Sequence, residues 1–339
     1  MASEPSALRA LERAARSCGL NVAASRLTTG NHVLYGRLER ALASFFRAPA
    51  ATLVPTGYLT NLIAAQALSG QFSHALVDAA SHPALRDAAA FLDCPALSFQ
   101  SRGPENLAAA LKRCGPGCRP ILLTDGMFAR DGSVAPLREY LKILPRDAML
   151  LVDDAHGAGV IGANGRGSIE HCGVSRRRVV QTITLSKAFG AYGGAILSSA
   201  PLRKAIFARS TVFAGSTPLP PPLVGAAVES VSILAKNPGL RRRMHENAER
   251  VRGRLRDAGF DVPRTPGPVF ALRPRNSTVA NRLTSRLLEA GIYPSLLRYP
   301  GVPAGGLFRF VISNRHSAAQ LDSLASAIEV FSPSDLSRP

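Results

Sequence analysis

Residues 148–167 read AMLLVDDAHGAGVIGANGRG. The first half is a continuous apolar run that ends on two aspartates. Such a run lacks the alternation of a half-buried strand and predicts a strand covered on both faces, as in a parallel sheet. A histidine and several glycines follow at once, so Asp153 and His156 stand where a strand becomes a turn. Outward from this stretch the pattern repeats. ATLVPT (51–56), HALVDAA (74–80) and RPILLTDG (119–126) precede it, and VVQTITLS (179–186) follows it. Helical stretches separate these runs, among them GYLTNLIAAQALSG and one starting at Pro83. Strand–helix alternation predicts an α/β domain of three layers. Thr56, Asp78, Asp125, Asp153 and Lys187 collect at the C-terminal ends of the strands, where open parallel sheets bind ligands.

The chain of 339 residues is long enough for one large domain and a smaller one. STPLPPPL (216–223) is a proline-rich break, and a long helical stretch from about Val224 to Ala258 follows. VFALRP (269–274), FRFVIS (308–313) and a last helix, SAAQLDSLASAIEVF, predict a smaller α+β domain. The expected division is an N-terminal arm over 1–29, a large domain over 30–225 and a small domain over 226–339. In the arm, Leu8, Leu11, Ala15 and Cys18 recur at helical spacing and predict an amphipathic helix.

Composition narrows the function. No apolar run reaches the roughly 18 residues a membrane span needs, and the N-terminus lacks the apolar core of a secretory signal. Five scattered cysteines suggest reduced thiols in a cytoplasm. CGPGC (114–118) holds the only close pair, and two further ligands at metal spacing are missing, so no metal site is expected. The net charge of +18 is mostly arginine spread over helices. It forms no basic arm and no aromatic-interleaved stripe, so nucleic acid is not an expected partner. GANGRG has its glycines in the wrong places for a dinucleotide loop, and no GxxxxGK[ST] occurs. In TGYLTN (56–61), Gly57 and Tyr58 open a helix whose amides and dipole suit a phosphate. TITLSKAFGAYGGAI (182–196) sets one ammonium, Lys187, among small apolar residues. Read alone, it is either a surface lysine at a strand end or an amine held in a dry pocket for attack on a carbonyl.

Taken together, these motifs resemble the α-oxoamine synthases, a family of fold-type I pyridoxal phosphate (PLP) enzymes. The resemblance runs from about Ser25 to the C-terminus. It is carried in order by SRLTTGNHVLYGRLERALASF with Glu39 in its LE pair, TGYLTN, VDAASH, DGMFARDGSVAPL, LVDDAHGAGVIGANGRG, TLSKAFGAYGG, STPLPP and PAGGLFRFVISNRHS. It implies the three-layer, aspartate aminotransferase-like PLP-transferase fold. It also implies a homodimer and a reaction in which an amino acid condenses with an acyl thioester, on CoA or an acyl carrier protein, with loss of CO2. By the resemblance, Lys187 bonds the cofactor and moves the Cα proton, Asp153 pairs with the ring nitrogen, His156 lies near the phenolic oxygen and His82 stacks on the ring. Gly57, Tyr58 and Thr184 hold the phosphate, and Ser216 or Thr217 reaches it from a partner subunit. Arg309 binds the amino-acid carboxylate, for which a planar fork suits. A PLP-dependent aminotransferase, aldolase or decarboxylase is the alternative, and a non-catalytic protein that kept the fold is a third reading. Two departures stand out. The family's NNYLGL-like segment is not in this sequence, which bears on the substrate contacts. The family's serine in a GVFSMDG-like stretch is Ala129 here.

Overall fold

The computed structural model describes residues 1–100, 103–298 and 305–338. The chain divides into two units, Met1–Phe128 with Val134–Asn237, and Ala129–Ser133 with Pro238–Pro339.

The first unit holds strands β1 (Ala50–Val54), β2 (His74–Asp78), β3 (Ala96–Phe99), β4 (Pro120–Asp125), β5 (Met149–Asp153), β6 (Val179–Thr184) and β7 (Gly194–Ser198). They form one sheet in the order β1-β7-β6-β5-β4-β2-β3. Pairing is parallel from β3 through β6, and β7 runs antiparallel to both β6 and β1. The apolar runs of the sequence are its buried centre, where every residue of β4 and β6 is covered. Two strands escaped the pattern. β3 is a half-exposed edge, and β7 is hidden inside the glycine-rich AYGGAI.

Helices α1 (Pro5–Cys18), α2 (Val33–Phe46), α3 (Gly57–Ala67), α4 (Pro83–Ala89), α5 (Pro104–Arg113), α6 (Leu137–Ile143), α7 (Ser168–His171), α8 (Ala200–Arg209), α9 (Thr211–Gly215) and α10 (Pro221–Lys236) complete this unit. Helix α1 forms as expected but buries another face. Ala7, Ala10 and Ala14 are covered, and Leu8 is exposed. The reason is close backbone approach: a Cβ on Gly225 of α10 would lie 2.8 Å from the Ala14 Cβ. Small residues win the contact that larger ones would hold apart. Glu39, on α2, is 5% exposed. It accepts from Arg26 at 2.7 Å, Arg203 at 3.1 Å and the Leu53 amide at 3.0 Å, tying α2 and the entry segment to β1.

The stretch read as one helix over 224–258 is two, α10 and α11 (Pro238–Asp257). Asn237, before a proline, leaves the helical region with ψ 71°, as Pro Cδ crowding requires. The division between units falls there, and not at 225/226.

The second unit continues with β8 (Val269–Pro274), α12 (Ser277–Glu289), β9 (Leu296–Leu297), β10 (Leu307–Val311), α13 (Ala318–Glu329) and β11 (Leu336–Ser337). Its sheet is antiparallel, in the order β11-β8-β10-β9. Phe270, Leu272, Phe308 and Phe310 form its core with Leu283, Leu287 and Ile328 from α12 and α13. The loop Ala129–Ser133 belongs here, because a Cβ on Gly132 would lie 2.5 Å from the Val269 carbonyl oxygen. Pro303 and Ala304 of the PAGG stretch lie outside the described residues.

Candidate active site

Strands β2, β4, β5 and β6 end side by side, and their last residues put Asp78, Asp125, Asp153 and Thr184 along one edge of the sheet. Asp125 and Asp153 are register neighbours, and so are Asp153 and Thr182.

The turn from β1 into α3 is built against this edge. Thr56 caps the helix by accepting the Leu59 amide at 3.3 Å. Gly57 follows because nothing larger fits: a Cβ there would lie 2.7 Å from the Thr184 Cβ and 2.9 Å from its Oγ1. Gly194 is confined in the same way: a Cβ there would lie 2.6 Å from Thr60 Cγ2, 2.8 Å from the Thr56 carbonyl oxygen and 3.0 Å from the Gly57 Cα. The amides of Gly57 and Tyr58 stand in the first turn, where a helix cannot satisfy them itself and where its dipole is positive. Thr184 Oγ1 lies 2.7 Å from Ser186 Oγ. This cradle of amides and a hydroxyl, free of Cβ atoms at its tightest point, fits a phosphate. The Tyr58 hydroxyl donates to Asp87, which raises the Tyr58 pKa above its ordinary value.

Adjacent aspartates at the end of β5 do different work because the pleat sends them to opposite faces. Asp153 turns toward α3. Its Oδ2 accepts from Asn61 Nδ2 at 2.6 Å, and its Oδ1 accepts the Ala155 amide at 3.1 Å. Asn61 Oδ1 in turn accepts from the Thr182 hydroxyl at 2.7 Å. Asp154 turns the other way, where its Oδ2 accepts the Ser168 amide at 2.7 Å and Gln181 Nε2 at 2.6 Å. Cβ atoms on Gly126, Gly157 or Gly167 would collide with this carboxylate. Full burial pushes Asp154 up to about 6.

Asp125 is 4% exposed. Its Oδ1 accepts the His82 amide at 3.1 Å, and its own amide donates to Ser81 Oγ at 3.1 Å. Burial first, and then the charge on Asp153, hold its pKa well above the usual carboxylate range, while the Lys187 charge pulls the other way. His82 caps α4, with Nδ1 accepting the Ala84 amide at 3.1 Å, so the ring proton sits on Nε2 and the ring is exposed. His156 is half-buried in the turn after β5.

Lys187 lies three residues past β6, in the loop 185–193 that joins β6 to β7. The dry pocket weighed for it is not what one chain provides: Lys187 is exposed, because it stands beyond the buried strand end. The nearby Asp125 senses its charge. Ser216 Oγ donates to the Val212 carbonyl at 2.6 Å, and Thr217 is exposed. Among the described residues, no hydrogen bond joins either to Gly57, Tyr58 or Thr184. In the second unit, Arg309 is partly buried on β10. Its Nη1 donates to the Ala129 carbonyl at 3.4 Å, and its Nε is buried without a partner. Among the described residues, no group of three or more His, Cys, Asp or Glu is arranged to hold a metal, and all five cysteines are free thiols.

Sequence reasoning passed over Asn61, Thr182 and the structural part played by Asp125. The signal for the first two was there: a polar residue in the apolar helix LTNLIAA and another in the buried strand VVQTIT. A buried polar side chain asks for a partner.

A sheet with these polar strand ends and a lysine loop after its sixth strand defines a class that sequence and fold comparisons identify. The profile of the aminotransferase class I and II family matches residues 4–328. An 8-amino-7-oxononanoate synthase of Thioalkalivibrio sulfidiphilus is 33% identical over 332 residues, covering 97% of this chain and 85% of its own. Sphingomonas wittichii serine palmitoyltransferase superposes with a TM-score of 0.91 at 28% identity, covering 97% of this chain and 84% of its own. A structure described as SPT with PLP internal aldimine gives 0.90 at 28% identity over the same shares. The chain belongs to the aminotransferase class I and II family, in its α-oxoamine synthase branch.

Proposed function

We propose that this protein is a PLP-dependent acyltransferase that condenses an amino acid with an acyl thioester, releasing CO2 and the free thiol and forming an α-amino ketone. The observation that carries the reading is the edge where Asp153, Thr184 and the Gly57 turn meet, with Lys187 in the loop after β6. The similarity to acyltransferases over nearly the whole chain supports it.

The residues present fit the cofactor. The Gly57 and Tyr58 amides with Thr184 Oγ1 would hold the phosphate, Asp153 would accept the hydrogen bond of the ring nitrogen and keep that nitrogen protonated, and His82 would offer an exposed imidazole to the ring face. PLP supplies, when bound, an electron sink for the negative charge that develops at the amino acid's Cα. Lys187 Nζ supplies the amine that bonds the cofactor and carries the Cα proton. Asp125 holds His82 by its amide. Arg309, with a buried Nε lacking a partner, takes the substrate carboxylate. Leu8, Leu20, Leu27, Val33 and Tyr192 are exposed apolar side chains of the first unit, and they support a homodimer that covers them. In that dimer Ser216 or Thr217 serves the partner's phosphate, and the protein works in a reducing cytoplasm. Among the described residues no helix is long and apolar enough to cross a membrane.

The test supplies PLP-loaded protein with alanine, serine or glycine and a set of acyl-CoAs, and measures free thiol and CO2 together. Release of both, dependent on both substrates, is expected. CO2 without thiol, or amino transfer to a keto acid, refutes the acyltransferase.

A further inference from the structure

Asn61 is fully buried on α3, beside the buried Leu62, Ile63, Ala64 and Ala65. A primary amide in such a place costs free energy that a leucine would not, unless its bonds are made. Both of its polar atoms are engaged, at 2.6 Å to Asp153 Oδ2 and 2.7 Å to Thr182 Oγ1. The direction is fixed. A carboxylate only accepts, so Asn61 must turn its NH2 to Asp153 and its carbonyl to Thr182, whose hydroxyl must then donate. Thr182's alternative, the Val152 carbonyl, is longer at 3.3 Å. The other carboxylate oxygen is held separately by the Ala155 amide. One donor on each oxygen sets the plane of the carboxylate and leaves lone pairs for a further donor.

We propose that Asn61, backed by Thr182, is a positioning residue that aims the Asp153 carboxylate at the ring nitrogen of PLP. The proposal rests on the PLP reading above. Neither residue touches the cofactor; they act through Asp153, as outer partners of metal ligands act through the ligand.

The experiment titrates apo protein with PLP, following absorbance for Kd, and then follows the bound cofactor's absorbance against pH. Loss of a hydrogen bond to a charged group predicts Kd about 10- to 100-fold weaker in Asn61→Ala, with a displaced pH titration. Thr182→Val should weaken binding by about 3- to 10-fold on the same ground, the lost bond now being neutral, and Thr182→Ser should restore it. Wild-type Kd and pH titration in Asn61→Ala would overturn the positioning role alone. So would a loss in Thr182→Ser equal to that in Thr182→Val, which would make the methyl group, not the hydroxyl, the cause. If Asn61→Ala does not fold, the Thr182 pair decides. Failure of the wild-type protein to take up PLP would instead overturn the functional reading beneath it.

Discussion

Replacing Asp154 with asparagine should stabilise the protein above neutral pH. Asp154 is fully buried, and its pKa stands at about 6 against the ordinary 3.8. An acid raised on folding holds its proton more tightly folded than unfolded. Its ionisation therefore erodes stability as pH climbs from about 4 to about 6, and the loss is complete above that window. The interval corresponds to about 3 kcal/mol. Asparagine can inherit the useful half of the site. Its carbonyl oxygen takes the place of Oδ2, which accepts from the Ser168 amide and Gln181 Nε2. Its NH2 takes the place of Oδ1 and faces the Ser168 hydroxyl, which can accept from it instead of donating to the carboxylate. Both atoms border the space above Gly126. One term opposes the gain. The Asp154 charge favours that of Arg176, which burial has lowered to about 10. A net stabilisation of about 1–3 kcal/mol at pH 8, falling toward zero or below near pH 4, is the expected outcome. Urea unfolding of apo wild-type and variant proteins from pH 4 to 8 measures it, and the difference between them cancels the titration of Asp125. A variant less stable than wild type at pH 8, or a difference that does not change with pH, would refute the reasoning.

Further outcomes follow from other parts of the molecule. Borohydride reduction of the PLP-treated protein should fix the pyridoxyl group to Lys187, and recovery on Lys142 or Lys204 would contradict the site. Gly57→Ala should cost about 1–3 kcal/mol from overpacking against Thr184 and weaken PLP uptake; unchanged melting and uptake would show that the cradle yields freely. Arg309→Ala should weaken amino-acid binding by roughly 30- to 1,000-fold with PLP uptake intact, and wild-type affinity in a spectral titration would remove it from the substrate site. Glu39→Ala leaves the buried Arg26 without its carboxylate and should cost about 3–5 kcal/mol, seen as a lower denaturation midpoint; a midpoint within error of wild type would count against a buried pair.

What could be read in advance followed the strength of the local pattern. β4 and β5 carry apolar runs and β6 is rich in β-branched residues, and their ends marked the polar edge without any coordinates. β3 was invisible because a half-exposed edge strand carries little periodicity, and β7 because it is short and opens on Gly194, a glycine in tight contact with Gly57. The face of α1 was misread because hydrophobicity ranks leucine above alanine, whereas close approach to Gly225 selects the smaller side chain. The same limit applies at the site. Lys187 and Asp153 announce themselves by charge in apolar surroundings. The choice between Asp153 and Asp154 needs the pleat, and the link from Asn61 to Asp153 spans residues that only the folded sheet brings together. The small loop Ala129–Ser133 joined the second unit for a packing reason, its fit against Val269, that no composition reveals.

The reversed strand β7 has a kinetic consequence. A parallel successor to β6 would need a long crossover, but an antiparallel one closes a hairpin, so the loop bearing Lys187 is pinned at both ends, with Thr184 and Gly194 in register. Leu185 donates to the Gly193 carbonyl at 2.9 Å, Ala191 to Leu185 at 2.9 Å and Gly190 to Lys187 at 3.0 Å, so the backbone has little slack. In the proposed role, the amine would therefore attach, release and return by turning the lysine's own side-chain bonds. Such rotations take picoseconds to nanoseconds, whereas loop opening takes nanoseconds to microseconds. A lysine held this way would change partners on the time scale of its own rotamers and not on that of a loop.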